Sequence, residues 1–316
     1  MQTILLIFNR IAPIILLLLI GKWLNRKAFL TPDTINEMKK LVVNLALPAI
    51  LFMSFLTMEI ETAYFWFIPL LLLIGITLYL IGVLLHKRLK IAGEYFPFLI
   101  TGFEYGMIGV SLFSAAYGVG QLGKIAIIDF GQELFVWFIY MALLTRKREG
   151  STNLKGLLKM FFTSPVILSI LFGITLNLLG ISELFTQAIF LQGLFSTIEL
   201  VGDLTIPLIL IMVGYGIQLD RSEFAYSLRV ILIRLGILIP FALFINRIFI
   251  NGWLGLDRGF QAAFFTLMIL PPPFILTLFM DQNLAQERHR IDNTLTLHTL
   301  ATIAVFIIYY ALNPLA

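Results

Sequence analysis

Eight polar or ionisable side chains stand in otherwise apolar stretches of this chain: Asn44, Glu104, Asp129, Gln132, Glu133, Asp203, Arg234 and His298. A charged group inside a bilayer costs at least a few kcal/mol, so those kept there are candidates for holding a proton, an ion or a charged solute. Asp129 and Glu133 are four apart and share a helical face, with the Gln132 amide beside them. Glu104 and Tyr105 sit in LITGFEYGMIGVSLF, among Gly102, Gly106 and Gly109. His298 has the titration range of a proton relay, and Arg234 could clamp an anion or pair with a carboxylate.

Structural accounts stand beside these. Arg234, five residues beyond Arg229, can snorkel to an interface. A lone histidine can be a hydrogen-bonded packing residue, and Asn44 with its neighbouring proline can shape helix packing. Glu199 and Asp203 repeat the four-residue spacing, but Glu199 can be a solvated surface group. Catalytic constellations are missing. There is no cysteine, no HExxH, no G-x-S-x-G and no phosphate-binding glycine loop, and His86 and His289 fall in polar connections. No enzyme, metal or cofactor is expected. The basic residues are not interleaved with stacking aromatics, so nucleic acid is not an expected partner either.

The elements that must position these groups follow from hydropathy. Of 316 residues 59% are hydrophobic and 13% charged, and the mean hydropathy is +0.97; soluble domains carry roughly 25% charged residues. Apolar runs of about 20 residues recur almost end to end, which predicts an all-α polytopic membrane protein with the bilayer as partner. Ten spans are expected, at about 3–25, 34–56, 63–85, 95–117, 123–144, 160–181, 194–218, 226–246, 258–280 and 293–313. The first has no small-residue cleavage site and reads as a retained span. Seventeen lysines and arginines fall in the connections following odd-numbered spans, against Lys124, Arg247 and Arg258 on the opposite side. Positive charge marks the cytoplasmic face, so both termini are expected outside the cytoplasmic membrane.

Two phrases then explain the organisation. LVVNLALPAILFM (Leu41 to Met53) and LVGDLTIPLILIM (Leu200 to Met212) lie 159 residues apart and keep Asn44 or Asp203 in register with Pro48 or Pro207. They fall in spans 2 and 7, five apart, so they run in opposite directions through the membrane. That predicts an inverted repeat of five helices, residues 1–150 against 151–316, with a site at the midplane. Span 4 should then partner span 9, FFTLMILPPPFILTLFM, where Pro271, Pro272 and Pro273 cannot continue a helix. Broken helices in corresponding positions point to a transporter's binding site.

LVVNLALPAILFMSF, followed far downstream by LPPPFILTLF, resembles the auxin efflux carrier family, whose bacterial members have N-x-A-L-P-A-x-L-F in span 2 and a proline pair in span 9. IIDFGQELFVW resembles that family's D-x-G-N stretch, with Gln132 as the amide. The resemblance implies crossing of broken helices 4 and 9, a scaffold of spans 1, 2, 6 and 7, and a moving unit of spans 3–5 and 8–10. It also implies secondary transport of small organic anions such as dicarboxylates or auxin-like acids. The sequence leaves protons, sodium or neither as the coupling partner, and a homodimer through the scaffold is one assembly it allows. In span 4 this chain departs from the family, with Glu104 near the break and Ser111 in place of a proline. A carboxylate thus stands where an anion is expected. The alternatives are a sodium-coupled or facilitative carrier of a neutral or cationic solute, or a membrane sensor derived from a transporter.

Overall fold

The computed structural model describes residues 2–150, 153–181, 189–218, 220–281 and 283–315, and every regular element among them is helical. In chain order the elements are α1 (Gln2–Arg26), α2 (Pro32–Thr57), α3 (Thr62–Leu89), α4 (Phe96–Ile100), α5 (105–117), α6 (Val119–Glu149), α7 (Leu154–Phe162), α8 (Pro165–Leu178), α9 (Ile189–Asp203), α10 (Thr205–Gly216), α11 (Phe224–Trp253), α12 (Arg258–Ile269), α13 (Ile275–Phe279) and α14 (Ala285–Leu312). Among the described residues eight helices, counting α4–α5 and α9–α10 as continuous, are long and apolar enough to cross a membrane, or nine if α7 and α8 form one span bent by 57°. The expected ninth span is instead two short helices, α12 and α13, because three consecutive prolines remove the amide donors that would join them. The expected sixth, 160–181, begins with a sharp turn at Ser164, whose extended backbone is what a following proline imposes.

Both copies of the repeated phrase are locally irregular just before the proline. In α2 the backbone widens to a π-turn over Val42–Ala46, and the Leu47 amide reaches back to Val42 O. That widening relieves the clash a proline ring makes with the carbonyl one turn earlier. In the second copy the helix breaks for one residue at Leu204 and restarts at Thr205.

By its contacts the chain divides into two units: Met1–Ile60, Gly106–Ala126 and Lys159–Ile217 form unit 1, and Glu61–Tyr105, Ile127–Leu158 and Gln218–Ala316 form unit 2. The first boundary inside span 4 falls between Tyr105 and Gly106, so the stretch 106–126 groups with spans 1, 2, 6 and 7.

In unit 1, α1 packs along α10 and α8 along α2. Membrane helices have no hydrophobic driving force between them, so close backbone approach over small residues does this work. A Cβ on Gly21 would strike the main chain at Ile211, one on Gly214 would strike Leu18 O, and one on Gly173 would lie 2.9 Å from Phe52 O. Four residues past each of two of these glycines an asparagine caps the partner helix. Asn25 Nδ2 donates to Tyr215 O at 2.8 Å, and Asn177 Nδ2 donates to the Phe55, Leu56 and Met58 carbonyls at 2.7–2.9 Å. We expect Gly214→Leu to lower the thermal midpoint of detergent-solubilised protein by the equivalent of about 3 kcal/mol, the upper range for overpacking. Gly216→Leu, with nothing within 4 Å of its Cβ position, should be close to neutral. Equal effects would show that helix propensity, not the α1–α10 contact, governs this segment.

In unit 2, α3 packs closely on α6: a Cβ on Gly131 would lie 2.8 Å from both Phe67 O and Ile68 Cα. α11 packs along α14. The segment 220–223 is pinned to α14, with the Asp220 amide donating to Asn293 Oδ1 at 2.8 Å and Arg290 Nε donating to Glu223 at 2.8 Å.

Candidate functional site: a double helix break in unit 2

The two irregular segments meet inside unit 2. α4 ends at Ile100, and the chain runs non-helically through Thr101–Glu104; α12 ends at Ile269, and the prolines carry the chain to α13. The Glu104 amide donates to Pro271 O at 2.8 Å, joining the breaks main chain to main chain. Gly102 makes this approach possible for two reasons. Its φ is +70°, and a Cβ there would lie 2.8 Å from the Pro273 ring. The backbone groups freed by the breaks must find partners, since no water is available to them in hydrocarbon. Three side chains supply these.

Arg234, completely buried on α11, donates Nη1 to Leu99 O at 3.2 Å and Nη2 to both Gly102 O and Leu270 O. These carbonyls belong to the ends of α4 and α12, where a cation is favoured by the helix dipoles. Its guanidinium also lies 5.1 Å from the centre of the Phe103 ring. The snorkelling account of Arg234 is therefore overturned: its planar fork holds two helix ends together instead of reaching an interface.

Gln132 treats Phe103 as a neighbouring strand would. Its Oε1 accepts from the Phe103 amide, and Nε2 donates to Phe103 O at 3.1 Å and to Asp129 Oδ1 at 2.9 Å. Only a carboxamide can both accept from and donate to one residue's backbone in this way. Asp129 is 1% exposed. Glu133, one turn along the same face of α6, accepts from Trp137 Nε1 at 2.8 Å. Glu104 reaches across to the far side of the prolines, where Oε2 accepts from the Phe274 amide at 2.7 Å. The site thus gathers three carboxylates around one main-chain crossing. Among the described residues no set of side chains is arranged to hold a metal ion.

Tyr105, at the edge of this cluster, has a buried hydroxyl with no partner, and the buried Arg234 Nε and His298 Nε2 are also unpartnered. An unmet buried polar atom costs about 1–3 kcal/mol, so such atoms mark places where a water, a proton or a ligand group has a use. His298 is fully buried on α14 and interacts with Thr302 Oγ1 at 3.2 Å, and Thr302 in turn donates to Ile269 O, the last carbonyl of α12, at 2.6 Å.

Other sequence candidates lie elsewhere. Gly106 and Gly109 belong to a π-wound turn at the start of α5 and do not break the chain there; the break lies before them, at Gly102. Asn44 is exposed on unit 1 and donates to Lys40 O at 2.8 Å, closing the irregular turn before Pro48. Asp203, also exposed, lines with Glu199 a cleft of unit 1 of about 490 Å³ that includes Ser54 and Thr57. Both belong to unit 1. Gly102, Phe103 and Thr302 belong to the site without a sequence signal that marks them. Gly102 was one of three glycines in its stretch, and the partners of the other two are main-chain atoms that leave no mark in sequence.

No curated protein matches the chain. The family model described as "Membrane transport protein" matches residues 6–310, which is nearly all of it. With its helices, its double break and that match together, the chain belongs to the membrane transport protein family, that of the auxin efflux carriers.

Proposed function

We propose that the protein is a secondary transporter of a small organic anion across the cytoplasmic membrane, coupled to protons through the carboxylates at the crossing of the two broken segments. The observation that carries this reading is the hydrogen-bonded crossing itself, with Glu104 bridging from one break to the amide beyond the other. Irregular backbone at membrane depth survives only when buried in protein or lining a cavity, and in carriers it forms the site. Arg234 spends both of its Nη groups on three carbonyls, and protons on the carboxylates would remove the repulsion that a bound anion meets there. The acidic lining also favours a second reading, a cationic solute or sodium as the bound species.

We further propose that residues 1–150 and 151–316 are inverted halves. Under the exchange of spans 1 with 6, 2 with 7, 3 with 8 and 5 with 10, the α1–α10 packing becomes α8–α2, and α3–α6 becomes α11–α14. The caps correspond too, Asn25 on span 7 and Asn177 on span 2. Spans 1, 2, 6 and 7 would be the scaffold and spans 3–5 and 8–10 the moving part of an alternating-access cycle, with both termini outside. Labelling a cysteine at position 150 only from outside would reverse that orientation. The functional test is counterflow in proteoliposomes with radiolabelled mono- and dicarboxylates and an organic cation of similar size. Saturable exchange of an anion supports the first reading; exchange of the cation alone replaces it with the second.

A further inference from the structure

We propose that unit 2 holds one phospholipid with an anionic, hydroxyl-bearing headgroup in a groove between α11 and α14, at the end where α11 leads into α12. The groove is continuous: a cleft of about 530 Å³ and a neighbouring one of about 480 Å³ share Gln261, Tyr309, Leu312 and Asn313. Its long walls are apolar stripes at helical spacing, Ile239 and Leu243 on α11 facing Val305, Ile308 and Leu312 on α14. Leu243, Ile308 and Leu312 are 50%, 61% and 76% exposed, the surface an acyl chain would cover.

The polar end of the groove carries two arginines. Of the three cationic residues on the sparsely basic side of the membrane, two, Arg247 and Arg258, line this groove. Neither makes an ion pair among the described residues. Asp257, next to Arg258, turns its carboxylate to the Phe260 amide at the start of α12. A second observation points to a ligand. Asn246 is 6% exposed and donates Nδ2 to Gln261 O at 2.8 Å, while its buried Oδ1 has no partner. A phosphate suits the arginines, and a headgroup hydroxyl suits that acceptor; choline has no such donor.

Depth agrees with this. Arg247 lies on the π-wound segment Asn246–Trp253, and Trp253 packs against Trp66 at 5.0 Å. Indoles gather at the level of lipid headgroups, which places the arginine at phosphate height and the leucine stripe below it.

The test is native mass spectrometry of delipidated protein titrated with phosphatidylglycerol, with phosphatidylcholine and soluble glycerol 3-phosphate as the other arms. One phosphatidylglycerol per chain is expected on the wild type. Each cation contributes about a factor of five at an anionic surface, so Arg247→Gln with Arg258→Gln should weaken binding about thirtyfold. Leu243→Trp, which fills the slot and leaves the charges in place, should also lose the lipid. The proposal is overturned if phosphatidylcholine is retained equally, if the double variant keeps phosphatidylglycerol like the wild type, or if glycerol 3-phosphate displaces the lipid as well as the lipid displaces itself.

Discussion

Glu104→Gln protein is expected to bind and exchange its anion but to lose accumulation driven by a pH gradient. Two unit charges 4 Å apart repel by about 4 kcal/mol at an effective dielectric of 20, nearly a thousandfold in affinity, so an anion cannot settle beside an ionised Glu104. If the carboxyl takes up a proton as the anion binds, one residue ties substrate to proton. Glutamine is a permanent stand-in for the protonated form. Its amide oxygen can still accept from Phe274, as Glu104 Oε2 does at 2.7 Å, so the cap on α13 survives. That separates coupling from structure: a purely structural Glu104 would leave the pH response of the glutamine variant unchanged. Imposed pH gradients across proteoliposomes read the difference, and wild-type accumulation by Glu104→Gln would remove this residue from the mechanism.

Arg234→Met should destabilise the protein rather than selectively weaken anion binding. Methionine keeps most of the side-chain volume but leaves the Leu99, Gly102 and Leu270 carbonyls unpaired in the interior. Orphaned buried acceptors cost about 1–3 kcal/mol each, and the loss is partly offset because a buried cation no longer has to be desolvated. A net cost of about 3 kcal/mol lowers the thermal midpoint by about 6 °C at roughly 2 °C per kcal/mol. Lysine should rescue little, because an ammonium cannot fork across two helix ends. A variant as stable as the wild type that has lost anion affinity alone would make Arg234 a substrate clamp.

The helical architecture was legible because hydropathy writes it directly, and the break at span 9 because three prolines allow no other backbone. The break at span 4 was half legible. Gly102, Gly106 and Gly109 are chemically alike, and only the neighbouring Pro273 ring and a φ of +70° make Gly102 the one that turns the chain. The amide at Gln132 could be marked from sequence, but its partner could not, since any residue at position 103 offers the same N–H and C=O. The same holds for Arg234, whose three acceptors are all carbonyls. A second repeat is also written in the chain: Gly21–Asn25 and Gly173–Asn177 both read G-x-x-L-N, 152 residues apart. Three shared letters in a leucine-rich chain carry little weight until the glycines are found on a partner's backbone and the asparagines on its carbonyls.

The central claim, that the carboxylates at the crossing couple an anion to protons, is tested most directly by following external pH in weakly buffered proteoliposomes as the identified anion enters. The account predicts that the medium becomes more alkaline in step with uptake, with a fixed number of protons per anion. Net anion uptake at full rate, with the external pH constant and the membrane potential clamped, would contradict it.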